Sequence, residues 1–209
     1  MRINELVVLG ADGCLTVPFH PNLTIVAGLG PNERTELIDT LHRSMIGTDT
    51  TTELRYTDEY GRELVIRRTG GRRRISTARR GASMDLPMPG PQDLPRLTHI
   101  RANDLGFRAA RGSLPAELPS LPMLVERLIG YLARARNAGS RGAASLAIHD
   151  DPLLGLSAQA TWDLLDAMER IAPAVQVAYL TNDATVVTWA QQTIRSGTVN
   201  VVGVPALSR

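Results

Sequence analysis

Lysine is absent from this 209-residue chain: all 23 of its basic residues are arginine. Any site here that needs a basic group must use a planar, permanently charged guanidinium instead of a flexible ammonium. Cysteine occurs once, at Cys14, which excludes an internal disulfide framework and fits a reducing compartment. Aromatic residues are only 4% of the chain, so the core must be built mainly from Leu, Val, Ile and Ala. No apolar run approaches the roughly 20 residues that a membrane-spanning helix needs. No basic stretch followed by an apolar one opens the sequence, so no secretory signal is expected and the cytoplasm is the expected location. The 4 histidines (His20, His42, His99, His149) show no metal-ligand spacing among themselves or with Cys14. A G-x-S-x-G nucleophile elbow is also missing.

What is present suits a soluble globular protein with one domain spanning residues 1–209, with 43% apolar residues and a mean hydropathy of −0.07. Net charge is only +2, yet the charge is uneven. Arginines 67, 68, 72, 73, 74, 79 and 80 fall in one stretch that holds no acid. The favoured reading is a solvated hairpin tip, and the sharper one is contact with a nucleic-acid backbone. No aromatic residues interleave with the cluster, so single-strand recognition has no support. Use of arginine alone also fits a GC-rich coding background, which makes it weak evidence about partners.

Hydrophobic periodicity divides the chain into two halves. Residues 2–9, 14–19 and Leu23–Ala27 read as strands, followed by a helix from about residue 34 to 45 carrying Leu37, Ile38, Leu41 and Met45. Thr52–Thr57, Glu63–Arg68 and Arg73–Thr77 then form an antiparallel meander, with turns at Asp58–Gly61 and Thr69–Gly71. Prolines 87, 89, 91 and 95 make residues 81–95 a loop inside a connector spanning 81–121. Between them, Arg96–Arg101 reads as a short strand. In the second half, 122–209, a helix starts at Pro122 and is broken at Asn137–Gly142. Strands at Ala144–His149, Val175–Leu180 and Thr198–Val204 then alternate with helices at 158–171 and 184–195, the pattern of parallel βαβ units.

Two motifs carry chemistry. Residues 22–41 read as strand, glycine-rich turn and helix, the setting of a phosphate-binding loop with the pattern G-x-x-x-x-G-K-[ST]. In the gapless register Gly28 opens the loop, Glu33 stands at the second glycine, Arg34 at the lysine, and Thr35 at the hydroxyl that holds magnesium. Sliding by two matches Gly30-Pro31-Asn32 to a Gly-Pro-Asn opening but puts Glu36 on the lysine, so the gapless register is preferred. Gly28, Gly30, Asn32, Glu33, Arg34 and Thr35 are thus the candidate phosphate contacts, with backbone N–H groups of 32–35 forming the cradle. The second motif is Ser145-Leu-Ala-Ile-His-Asp-Asp-Pro152, an apolar strand ending in two acids. This is the Walker B arrangement, in which Asp150 with Thr35 would hold Mg²⁺ and Asp151 would polarise the attacking water.

The stretch Asp150-Asp-Pro-Leu-Leu-Gly-Leu-Ser157, a helix, and then Val-Gln-Val-Ala-Tyr-Leu-Thr-Asn-Asp183 resembles the C-terminal half of an ABC-type ATPase head. More narrowly, it is similar to the heads of SMC and RecF-like proteins of the P-loop NTPase superfamily. The Met1–Leu9 strand, Phe19 and the Leu23–Leu41 unit resemble the opening of the same heads, so residues 1–45 and 142–205 are covered. The resemblance implies an α/β P-loop NTPase-like fold with a parallel core flanked by helices, plus the antiparallel meander. It also implies ATP and Mg²⁺ as cofactors, Asp151 as the base, and Asn182 at the position of the γ-phosphate sensor.

The departures are several. Asp151 replaces the catalytic glutamate, Ser157 the D-loop aspartate, and Asn182 the switch histidine. No Leu-Ser-Gly-Gly signature precedes the acidic strand, and the connector 81–121 stands where such proteins insert a coiled-coil arm. The expectation is ATP binding with weak or no hydrolysis. The alternative is a pseudo-ATPase serving as a structural or regulatory interaction module. It would act as a homodimer or on a protein partner, with Arg67–Arg80 available to DNA and no membrane involved.

Overall fold

The computed structural model describes residues 2–10, 13–46, 51–58, 60–69, 72–77, 96–105, 120–138, 145–151, 153 and 156–203. The proline-rich loop at 81–95, the end of the arginine cluster at Arg79 and Arg80, and the break at 139–142 lie outside these residues. The described strands form two five-stranded sheets. The first is antiparallel, in the order β2 (Gly13–Pro18), β1 (Arg2–Gly10), β4 (Thr52–Thr57), β5 (Glu63–Thr69), β6 (Arg72–Thr77). The second is parallel, in the order β10 (Val199–Gly203), β3 (Leu23–Ala27), β9 (Gln176–Thr181), β8 (Ser145–Asp150), β7 (Arg96–Arg101). The helices are α1 (Pro31–Ile46), α2 (Leu121–Ala138), α3 (Ala158–Ile171) and α4 (Ala184–Thr193). The expected α/β fold with a parallel core and an antiparallel meander is borne out. The meander is larger than three strands because β1 and β2 complete its sheet.

The period of two in each central strand dictates the layers. Val26, Leu146, Ile148, Ala178 and Leu180 face α1, where they join Leu37, Ile38, Leu41 and Met45, while Ile3, Leu6, Leu54, Tyr56 and Ile66 of the antiparallel sheet close the other side. Ile25, Ala147, Val177 and Tyr179 alternate with them and face the opposite way, onto Leu124, Leu128, Leu132, Leu164, Leu165 and Met168 of α2 and α3. Thus α1 is sandwiched between two sheets, and α2–α4 cover the outer face of the parallel one. Both faces of β3, β8 and β9 are dry, which explains why they read as continuous apolar runs. Each fully buried Leu or Ile contributes about 1.5–3 kcal/mol.

Two local devices set the geometry. At the β4–β5 turn the Asp58 carboxylate accepts the N–H groups of Tyr60 and Arg62 and the Arg62 Nε, and Gly61 takes a φ of 74°. Where the sheets meet, β1 shifts register between Ile3 and Glu5. Here Gln176, at the start of β9, takes over as partner of the Ile3 backbone. Its Oε1 accepts the Ile3 N–H at 2.8 Å, and its Nε2 donates to the carbonyls of Ile3 and His20. One buried amide thereby ties the antiparallel sheet to the parallel one.

Most expected element boundaries agree within two residues, with one consequential exception. The first helix begins at Pro31 and not near 34. Proline suits the first turn of a helix, where its missing N–H has no ladder partner to lose. The early start leaves only Gly28, Leu29 and Gly30 between β3 and α1.

Candidate nucleotide-type site

The site lies where β3, β8 and β9 end against the N-terminal turn of α1. Gly28 turns the chain out of the strand with a φ of 87°, a left-handed conformation that favours glycine, and its N–H donates to Thr181 O. Because α1 starts at Pro31, positions four to eight of the loop pattern lie on the helix itself. This corrects the expected cradle of N–H groups at 32–35. The Arg34 N–H donates to Gly30 O in the helix ladder, and Pro31 has no N–H to offer. Only the first-turn amides of Asn32 and Glu33 remain outside that ladder. Glu33 folds its carboxylate back to accept the Gly30 N–H at 2.7 Å, a capping-box-like closure with an anion at the helix N-terminus.

Strand alternation aims Asp150 at α1, on the same face as Leu146 and Ile148, and there it meets Arg34. Arg34 Nε donates to Asp150 Oδ1 at 2.7 Å, and Nη1 donates to Leu29 O at 3.1 Å and lies 3.6 Å from Asp151 Oδ2. Arg34, expected to pair with phosphates, here pairs with the two strand-end acids. Thr35, the expected magnesium ligand beside Asp150, is exposed and donates its hydroxyl to Pro31 O, one turn back on its own helix. His99 of β7 stands on the other side of Asp150, with Nε2 3.9 Å from Oδ2.

Asp151 is buried and has a φ of 42°, a left-handed conformation that Asp tolerates better than most residues. It is held there by its N–H on Leu180 O and by the Thr181 hydroxyl, which donates to its Oδ1 at 3.0 Å. Burial pushes its carboxyl above the ordinary aspartate value, opposed by the Thr181 hydroxyl and the Arg34 charge. The Thr181 oxygen in turn accepts the Asp183 N–H, and the Asp183 carboxylate caps α4 by accepting the Thr185 N–H at 2.7 Å. Replacing Asp183 with Ala should cost about 1 kcal/mol of stability, readable as a lower urea midpoint. Asn182, the expected sensor, is exposed between these two residues. Ser157 caps α3 by accepting the Ala160 N–H.

Arg34, Asp150 and Asp151 therefore come together, while Thr35 and Asn182 are exposed and outside this group. Thr181, Asp183 and the Leu29 carbonyl were not foreseen. The Asp183 cap had a signal, an aspartate immediately before a helical segment, whereas Thr181 and the Leu29 carbonyl had none. Among the described residues, no group of three metal-ligating side chains occurs. No helix there is long and apolar enough to cross a membrane.

No protein-family model matches the sequence, and no curated protein matches it. Solved structures do. An SMC head domain from Thermotoga maritima is similar with a TM-score of 0.57 and 12% identity, over 100% of this chain and 96% of that one. The fold is that of an SMC head domain. A second SMC head, bound to the C-winged helix domain of ScpA, gives a TM-score of 0.50 and 10% identity, over 90% of this chain and 92% of that one. At such identities the likeness is one of fold. In this chain the acidic strand β8 and the glycine turn adjoin, with three residues between β3 and α1.

Proposed function

We propose that this chain is a pseudo-ATPase, an SMC-head-like protein-interaction module that works without bound nucleotide. The observation that carries the reading is the turn between β3 and α1. The turn is short, and two of the groups that an anion and a metal would use are bonded to neighbouring side chains. The Glu33 carboxylate takes the Gly30 N–H that an anion would need, and Arg34 takes the Asp150 oxygen that a metal would need. The Thr35 hydroxyl is bonded within its helix. Magnesium and a nucleoside triphosphate do not fit residues arranged in this way. A protein partner remains in keeping with the fold, and the head bound to a ScpA domain is one instance of such an assembly.

Calorimetric titration of the purified chain with ATP, with and without Mg²⁺, tests this. The expected result is no saturable heat and an unchanged Tm at millimolar nucleotide. Saturable binding that weakens in Asp150→Ala would overturn the reading in favour of a nucleotide-binding head.

A second reading, DNA association, has its own observation. The β5–β6 register sets Arg67 opposite Arg74, and like charges directly opposite on an antiparallel pair repel. Arg67 is already paired with Glu53 at 2.7 Å, which makes this the weaker reading. Duplex affinity that falls steeply with salt, and falls again when Arg72, Arg73 and Arg74 become Ala, would support it. Affinity unchanged in that variant would reject it.

A further inference from the structure

Arg34 couples four parts of the molecule. Its guanidinium joins the turn at Leu29 to Asp150 at the end of β8 and faces Asp151 just beyond it. From Asp151 the contacts continue through the Thr181 hydroxyl on β9 to the Asp183 N–H, and from the Asp183 carboxylate to the first turn of α4. The groups bonded or paired with the guanidinium are all oxygens: two adjacent carboxylates and a carbonyl. That is also the donor set of a hard divalent cation. Two neighbouring carboxylates, one of them buried, repel each other unless a cation lies between them. Arginine's planar fork reaches Asp150 through one nitrogen while another reaches the carbonyl and lies near Asp151.

We infer that Arg34 is a built-in cation that stands in place of a metal ion at the acid pair and keeps the connection from α1 to α4 permanently made. The inference rests on the nucleotide-free reading and deepens it. A head wired in this way holds its α4 entrance in one state, with no ligand needed to set it. Glu33 on the Gly30 N–H is the matching internal anion.

The test is replacement of the internal cation by an external one. In Arg34→Ala, amide exchange at Asp183 and Thr185 should quicken by at least about tenfold, and Tm should fall, because a buried pair has lost one partner. Millimolar Mg²⁺ or Mn²⁺ should restore both, and adding Asp150→Asn should abolish the restoration. The unaltered chain should ignore either metal. Unchanged exchange in Arg34→Ala, or quickened exchange that no divalent cation restores, would overturn the inference.

Should Arg34→Ala fail to fold in metal-free buffer, folding on addition of Mg²⁺ is the expected result. The triple variant Arg34→Ala, Asp150→Asn, Asp151→Asn removes both signs of charge and should fold without metal. If the triple variant folds while Arg34→Ala stays unfolded with and without Mg²⁺, the inference fails. No nucleotide enters these measurements, so failed restoration counts against the internal cation alone. Saturable ATP binding by the unaltered chain counts against the reading beneath it.

Discussion

Urea midpoints should fall steadily as the pH is lowered from about 7 toward 5, and His149→Leu should remove most of that slope. His149 sits on β8, an interior strand of the parallel sheet, fully buried, its ring stacked on Tyr179 with centroids 6.1 Å apart. Neither ring nitrogen has a hydrogen-bond partner among the described residues. Burial, with a smaller contribution from the charge of His99, lowers its pKa from 6.5 to about 3. Between those values the unfolded chain binds a proton that the folded chain refuses. Stability is therefore highest above about 6.5 and declines by about 1.4 kcal/mol per pH unit below it, about 2 kcal/mol by pH 5. Burial lowers His99 and His20 as well, so they add to the slope in the same direction. Asp151 acts in the opposite sense, since its raised carboxyl favours the folded state as pH falls through the acid range. At neutral pH His149→Leu should be neutral or stabilising, because it removes a buried polar ring whose nitrogens are unpaired. A pH slope identical in the variant would reject this account of His149.

The second large effect is expected at Gln176. Gln176→Leu keeps most of the side-chain volume but leaves the buried N–H and carbonyl of Ile3 without their partner, and frees the carbonyl of His20. Each buried group left unsatisfied costs about 1–3 kcal/mol, so a loss of about 3–5 kcal/mol is expected in chemical denaturation. Gln176→Glu separates hydrogen bonding from shape. Its carboxylate can still accept the Ile3 N–H but faces two carbonyls that need a donor. It should be destabilised at neutral pH and should recover as the carboxyl protonates and becomes a donor. Equal stability of the Gln, Leu and Glu forms would show that the two sheets are joined by packing alone.

How much of this could be read in advance depends on the range of the interaction. Leu23–Ala27, Thr52–Thr57, Arg96–Arg101 and the 158–171 helix appear at the expected residues, because a period of 2 or 3.6 is written into consecutive side chains. The start of α1 was expected three residues late. The glycine-rich stretch was matched to a loop pattern, whereas Pro31 suits a helix's first turn. The short turn then changed the meaning of every candidate after it. Glu33, Arg34 and Thr35 became helical residues with their own partners.

Arg34 and Asp150 are 116 residues apart in the chain, and Ile3 and Gln176 are 173 apart. Nothing local specifies such pairs. Composition, periodicity and the order of elements determine an α/β fold with a parallel core, because burial of apolar faces follows directly from side-chain spacing. Whether the acids at the end of β8 meet a lysine-like anchor, a metal or an internal arginine was decided only when α1 packed between the two sheets. Close packing brought the Arg34 guanidinium within hydrogen-bond reach of Asp150, and buried charges must be paired where they lie.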